Sequence, residues 1–326
     1  MKKIELYPLV FAPVYKDLMW GGKMLGPVLG RDLPKTELPI GESWEIVDRE
    51  DDMSIVSAGE LKGKSISELI SEYGKELMGD KFEGDRFPLL VKIIDAGKRL
   101  SLQVHPNEAA CEIIGGTAEP KTEMWYIIDV EKDAKIIAGL KSGVKEEEFK
   151  TDMSSTDVEK HLQVFDAKKR DSYFIQASKI HAIGAGNLLL EIQQNSDTTY
   201  RVSDWGRVDD KGNSRELHVE KALQCIDFND DEGGMIDWDG KEIAERKLVD
   251  NCPFFKVDEL TIIGDKLIAV SADSFQMITP IDNTITIETS DSKIVLKKGT
   301  TCLIPANTKI YRLESKSKTI VIKASL

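Results

Sequence analysis

The chain of 326 residues is 41% hydrophobic and 31% charged, and its 57 Asp+Glu outnumber 44 Lys+Arg for a net charge of −13. That composition suits a globular protein of one large or two ordinary domains. It argues against nonspecific attachment to nucleic acid or to an anionic membrane surface, while leaving room for a local basic pocket.

At the start of the chain, Met1-Lys2-Lys3-Ile4-Glu5-Leu6-Tyr7-Pro8 reads as no secretory signal, because Glu5 and Pro8 interrupt any apolar core. No run approaches membrane-spanning length. Cys111, Cys225, Cys252 and Cys302 lie far apart without CxxC spacing, which fits reduced thiols in a cytoplasmic protein. Leu6 to Trp20 reads as an extended edge segment ending in the turn Gly21-Gly22. Ser43 to Val47 is a short strand, and Ser54 to Val56 extends the same sheet. Ser65-Ile66-Ser67-Glu68 is a capping box, and Ile66, Leu69, Ile70, Tyr73 and Leu77 follow at helical spacing, predicting a helix over 65–78. Phe87 to Ile94 is a buried strand carrying one charge, Lys92, which either snorkels or points into a pocket.

Leu100-Ser101-Leu102-Gln103-Val104-His105-Pro106 alternates polar and apolar residues, placing Ser101, Gln103 and His105 on one strand face. Such polar groups on an inner face must be paired, solvated or bound to something. Asn107 caps a short helix, Glu108 to Ile114, before the loop Gly115-Gly116-Thr117. Lys121 to Ile128 is the next strand, with Lys121 and Glu123 on one face. Ala134 to Ala138 completes a hairpin. A helical insertion over 145–165 follows, in which Val158, Leu162 and Phe165 share a face and His161 lies on the opposite, solvated side. Ser172 to Gln176 returns to strand, and Lys179 to Asn187 is a turn bearing His181. Leu188 to Gln194 is a strand centred on Glu191. Thr199 to Val202 is another, with Arg201 just after the polar turn that holds Asp197. Residues 216–226 form one more helix, with His218 near its start.

From about residue 248 the pattern is short alternating strands: Phe254–Leu260, Lys266–Val270, Phe275–Thr279, Thr284–Glu288, Lys293–Leu296, Thr301–Ile304, Ile310–Leu313 and Thr319–Ile322. Many strands and few helices predict a mainly β protein. A jelly-roll barrel over 1–240 with helical insertions would be followed by a second β domain over 241–326.

Gln103, His105, Glu123 and His181 offer two nitrogens and two oxygens. This donor set suits zinc, and its two histidines and one carboxylate also suit non-haem iron. The blocks around Gln103 and His105, Lys121 to Tyr126, Ile180 to Gly184, and Asn195 to Arg201 resemble, in that order, the signature blocks of type I mannose-6-phosphate isomerases of the cupin superfamily. Leu18-Met19-Trp20-Gly21-Gly22 resembles the family's opening, and the compact length is similar to its short bacterial form.

The resemblance implies one zinc per chain held by Gln103, His105, Glu123 and His181. It implies an active-site arginine at Arg201, a pocket lysine at Lys121, and a sugar-phosphate pocket lined by Ser101 and Lys92. Glu191 and Asp197 match acidic positions suggested as proton carriers, although Asp197 could simply stabilise its turn and Glu191 could pair with Arg201. Thr122 stands where many relatives carry proline, and the C-terminal domain is similar to a cupin without its metal residues. The implied reaction is the interconversion of mannose 6-phosphate and fructose 6-phosphate by a cytoplasmic monomer or homodimer. An isomerase of another sugar phosphate, a noncatalytic sugar-phosphate-binding cupin and an iron oxygenase are the competing readings.

Overall fold

The computed structural model describes residues 4–153, 155–208 and 212–326. Met1–Lys3 of the opening segment and Ser154 of the insertion lie outside the described residues. Along the first part of the chain the strands are β1 (Leu9–Val10), β2 (Val14–Asp17), β3 (Ile40–Ile46), β4 (Leu89–Ala96), β5 (Leu102–Val104) and β6 (Glu123–Val130). They continue as β7 (Lys135–Leu140), β8 (Leu162–Asp166), β9 (Ser172–Ile175), β10 (His181–Ile183), β11 (Asn187–Gln194) and β12 (Tyr200–Ser203). Two antiparallel sheets result, one in the order β2-β3-β4-β11-β6-β9 and the other in the order β12-β5-β10-β7-β8.

Period-two alternation divides each strand between two environments. On β4, β6 and β11, Leu89, Val91, Ile93, Met124, Tyr126, Ile128, Leu188, Leu190 and Ile192 pack outward into a core shared with the helices and the C-terminal sheet. Ile94, Trp125, Ile127 and Leu189 on the opposite face meet Ile136, Ala138 and Ile183 of the five-stranded sheet. The outer face of that second sheet is covered by the helical insertions, through Ala110, Phe149, Val158, Ala222 and Cys225.

The register then lines up side chains across each sheet. Trp44, Lys92, Glu191, Trp125 and Tyr173 occupy one continuous row of Cα partners in the six-stranded sheet. Arg201, Gln103 and His181 form a row in the five-stranded sheet. Lys92 and Glu191 of the first row and Arg201 and Gln103 of the second line one cavity.

The helix expected over 65–78 is two helices, Ile66–Tyr73 and Lys75–Met78. The capping box at Ser65 and Glu68 is present. Gly74 breaks the helix with φ +50, a conformation other residues adopt at a cost. The insertion over 145–165 is helical only in Glu146–Asp152 and a 3₁₀ turn, Thr156–His161; Leu162 and Phe165 belong to β8. A 3₁₀ turn has about three residues per turn, so the helical face that was expected does not exist. His161 consequently is not solvated. It is buried, with Nε2 2.7 Å from the Asp152 carboxylate and its ring against Phe149. The strand expected over Leu100–Pro106 pairs only in its central part, Leu102–Val104.

The rest of the chain contributes β13 (Glu245–Val249), β14 (Lys256–Ala269), β15 (Gln276–Pro280), β16 (Ile285–Glu288), β17 (Lys293–Leu296), β18 (Cys302–Ile304) and β19 (Ile310–Ser325). Four of the strands expected there merge into two. Phe254–Leu260 and Lys266–Val270 are read together as β14, and Ile310–Leu313 and Thr319–Ile322 as β19. Polar Lys316 to Lys318 looked like a turn, but they fall where the ladder jumps from Ile262↔Thr319 to Gly264↔Ser315. A bulge absorbs them without ending the strand, and Gly264 supplies the left-handed backbone at φ +73. The early strand β1 pairs with β18, so the beginning of the chain is built into this C-terminal sheet.

Candidate metal centre and active site

Glu123 begins β6 and His181 begins β10, while His105 follows β5 directly. The two sheets therefore bring these three together from distant parts of the chain. Their ligating atoms all lie within 4.8 Å of one another, and all three residues are buried. His105 Nε2 is 3.4 Å from Glu123 Oε2, and His181 Nε2 is 3.5 Å from Glu123 Oε1. Gln103 Nε2 is 3.2 Å from His181 Nε2. Turning that amide over exchanges its nitrogen for Oε1, an acceptor.

Both imidazoles are oriented by main chain. His105 Nδ1 lies 2.8 Å from the Thr198 carbonyl, and His181 Nδ1 lies 2.8 Å from the Lys179 carbonyl. Each Nδ1 thus carries the proton and donates it, leaving the Nε2 lone pair aimed at Glu123, the outer arrangement that metal-binding histidines use. His105 Nε2 and both Glu123 carboxylate oxygens are buried without a hydrogen-bond partner. Lys121 balances the Glu123 charge from 3.0 Å, and the His105 lone pair and the carboxylate oxygens still converge as three acceptors without a hydrogen bond, which a cation would satisfy. Donors about 2.0–2.1 Å from a tetrahedral ion sit about 3.3 Å apart, close to the 3.4 and 3.5 Å between each histidine Nε2 and the Glu123 carboxylate. The residues fit a metal.

The electrostatics agree with that fit. Burial, reinforced by Lys121, pushes the His105 imidazole down to about 3, and burial lowers His181 as well. Both rings are neutral, as ligands must be. Burial would raise the Glu123 carboxyl, but Lys121, 3.0 Å away, outweighs it, and the group stays well below the usual range.

These shifts make a prediction for the chelated protein. The unfolded imidazole titrates near 6.5 and the folded His105 near 3, so between those values the unfolded chain binds more protons. Stability is full above pH 6.5 and is expected to fall by about 1 kcal/mol per pH unit below it. Urea unfolding with chelator at pH 7.5, 6.5 and 5.5 measures this. Equal stability at the two lower values would contradict it.

Above the cluster lies a cavity of about 530 Å³ lined by Trp20, Glu42, Trp44, Lys92, Ser101, Gln103, Lys121, Glu191, Asp197, Arg201 and Arg215, among others. Larger clefts of about 890 and 980 Å³ elsewhere on the surface contain none of the metal-ligand candidates. Lys92 is buried with its ammonium 3.5 Å from Glu191 and 3.6 Å from Glu42, over the Trp44 ring. Burial works against its charge, but the two carboxylates outweigh burial and raise its pKa. Trp125 Nε1 donates to Glu191 Oε2 at 2.9 Å, while Oε1 has no hydrogen-bond partner. Burial, then the neighbouring Glu123, raises the Glu191 carboxyl despite Lys92. Arg201 is half-buried; burial and then Arg215 lower its pKa. Asp197 is exposed at the rim.

Two matches with known families now bear on this site. The catalytic domain of phosphomannose isomerase type I matches residues 9–123, and the mannose-6-phosphate isomerase cupin domain matches residues 244–324. The mannose-6-phosphate isomerase ManA of Bacillus subtilis is 36% identical over 96% of this chain and 98% of its own. The chain belongs to the type I phosphomannose isomerase family. The mannose-6-phosphate isomerase of Streptococcus mutans is 32% identical over 94% of this chain and 95% of its own. The crystal structure of the Bacillus subtilis enzyme superposes with a TM-score of 0.84 at 32% identity, covering 98% of this chain and 99% of that one. The mainly β fold expected from the strand pattern, and the cupin domain implied by the resemblance, are those of this family.

Every residue named from the sequence for this family's site lies at the metal cluster or lines the cavity. Glu191 pairs with Lys92 and not with Arg201. Several contributors were missed. Glu42 was passed over because the strand was read from Ser43; it shares the inner face of β3 with Trp44, two residues on. Arg215 lies in an aperiodic stretch that gives no strand or helix signal. The Thr198 and Lys179 carbonyls act through main chain and have no sequence signature.

Proposed function

We propose that this protein is a metal-dependent aldose–ketose isomerase that interconverts D-mannose 6-phosphate and D-fructose 6-phosphate through an enediol. One observation carries the reading: the Nε2 atoms of two buried histidines, His105 and His181, converge on the buried Glu123 carboxylate beneath a cavity holding Lys92, Lys121, Glu191 and Arg201. The relatives that span nearly the whole chain are mannose-6-phosphate isomerases, which supports the substrate. Gln103, His105, Glu123 and His181 would hold one zinc ion per chain, a choice supported by their two nitrogen and two oxygen donors. When bound, the ion supplies Lewis-acid polarisation of the substrate oxygens.

The chain's own residues account for the remaining requirements. A proton leaves C2 of the aldose, the electron pair forms the C1–C2 double bond, and negative charge develops on O1. Protonation at C1, with the O2 proton passing to O1, then yields the ketose. Glu191 is our choice for the group that moves the carbon-bound proton, because its Oε1 makes no hydrogen bond, with the Lys92 ammonium 3.5 Å away, and its raised pKa suits a base. Lys121 and Asp197 are the other candidates. Arg201 would place fixed positive charge where the oxyanion develops. Lys92, Lys121, Ser101 and Arg201 would bind the sugar phosphate. Lys92 and Lys121 are already balanced by carboxylates, whereas Arg201 Nη1 bonds only the Glu216 carbonyl.

We further propose a division of the chain near residue 240, into a metal-binding unit over 1–240 and a cupin-like unit over 241–326. We propose a cytoplasmic location, supported by four unpaired cysteines, and a monomer or homodimer. No helix among the described residues is long and apolar enough to cross a membrane.

The test is conversion of mannose 6-phosphate to fructose 6-phosphate before chelation, after chelation, and after zinc is restored, with metal content measured on the same samples. Activity should vanish with the metal and return with zinc. Zinc bound without turnover would point to another sugar phosphate or to a noncatalytic binding protein, and iron with oxygen uptake to an oxygenase.

A further inference from the structure

Strand β12 lies at the edge of its sheet, with β5 as its sheet neighbour. The outer edge of such a strand presents main-chain groups that need partners. At Arg201 those partners come from one short segment. Arg201 N–H donates to His218 Nδ1 at 3.2 Å, and His218 N–H donates to the Arg201 carbonyl at 2.8 Å. Two residues earlier, the Glu216 carbonyl accepts from Arg201 Nη1 at 2.6 Å. Main chain and guanidinium of a single residue are thus held by residues 216–218, and Arg215 of the same segment lines the cavity. For Nδ1 to accept, the imidazole must be neutral with its proton on Nε2.

We propose that His218 is a positioning residue for Arg201: its neutral imidazole takes the place of a missing neighbouring strand and keeps the guanidinium in the cavity, and protonating that imidazole releases the hold. The proposal deepens the isomerase reading and rests on the role given there to Arg201. An Nδ1–H would confront the Arg201 N–H with a second donor, so the hydrogen bond is lost on protonation. The charged and titratable groups around the ring are Arg201 on β12, Tyr200 with ring centroids 6.1 Å apart, Glu216 in the same segment, and Lys221 on the helix Val219–Cys225. Burial, then Arg201, lowers the imidazole pKa, with Lys221 helping and Glu216 opposing. The hold is therefore closed at neutral pH and opens on acidification.

The test is the pH dependence of kcat and KM for mannose 6-phosphate in the zinc-loaded wild type, His218→Ala, His218→Asn and Arg201→Ala, with metal content measured for each. Asparagine offers a carbonyl oxygen where Nδ1 stands and does not titrate. At pH 7.5 His218→Ala should lose about tenfold in kcat at unchanged metal content, since a small misplacement of a catalytic group is costly. His218→Asn should recover most of that loss, and its kcat should hold to lower pH than the wild type's. If His218→Ala fails to fold, the acid limb of His218→Asn decides alone. An acid limb identical to the wild type's overturns the proposal, as does equal loss in both His218 variants. If Arg201→Ala collapses turnover while the His218 variants match wild type, only this proposal falls. If Arg201→Ala turns over normally, the active-site reading of Arg201 falls and takes the proposal with it.

Discussion

Arg201→Ala is expected to lower kcat by about 10²–10³ while the protein stays folded and keeps its metal, as loss of one preorganised group at a developing oxyanion commonly does. The structure separates the two effects. The Arg201 guanidinium bonds the Glu216 carbonyl and touches no candidate metal ligand. That side chain is only half-buried, so truncation leaves water to satisfy the carbonyl, and little stability is at stake. Steady-state kinetics with metal analysis on the same preparation makes the measurement. Turnover within threefold of wild type would remove Arg201 from the chemistry, and loss of metal would mean that the guanidinium supports the ligands instead.

The second large effect concerns Glu123. Glu123→Gln keeps the shape of the side chain and deletes its charge. Three consequences are expected together. Metal should be lost, since the site would have no anionic donor. Turnover should fall to the metal-free level. The metal-free protein should also lose about 3 kcal/mol of stability, because Lys121 would remain as a buried ammonium without its carboxylate, and breaking a buried pair on one side costs about 3–5 kcal/mol. Lys121 is only 4% exposed and 3.0 Å from Glu123, so water cannot readily replace the partner. Denaturant titration of chelated wild type and variant isolates the third effect from the first two. A variant that retained one metal per chain with normal turnover would exclude Glu123 from the ligand set.

What could be read in advance was whatever obeys a period. Alternation in the strands assigned Gln103 and His105 to one face, joined Lys121 to Glu123, and singled out Lys92 and Glu191 as charges within apolar runs. The inner and outer faces of β4, β6 and β11 divide accordingly. His181 had no periodic support; its donor chemistry, and then the resemblance between ordered blocks, attached it to the others. What escaped prediction depends on distance along the chain or on main chain. The register that sets Glu191 beside both Lys92 and Trp125 is a property of the assembled sheet. The carbonyls that fix the tautomers of His105 and His181 belong to Thr198 and Lys179, residues whose identity implies no such duty. His161 was misplaced because a 3₁₀ turn and an α-helix present different faces from the same residues. The C-terminal strands were cut too short because a bulge and a turn have the same polar composition.

Glu259 of β14 has a broader consequence. It is buried, and it accepts from the Tyr126 hydroxyl at 2.6 Å, from Arg170 at 2.6 Å and from Arg246 at 3.0 Å. Tyr126 is three residues along β6 from Glu123, so one C-terminal carboxylate is bonded to the strand that begins at the metal cluster. The same strand packs Met124, Tyr126 and Ile128 into an apolar core completed by Val257, Met277 and Ile322. The C-terminal sheet carries none of the candidate ligands, yet it is no detachable appendage. With a common core and a shared ionic knot, the sheets are expected to melt in one transition in calorimetry. The strands that carry the candidate ligands draw stability from a sheet that carries none.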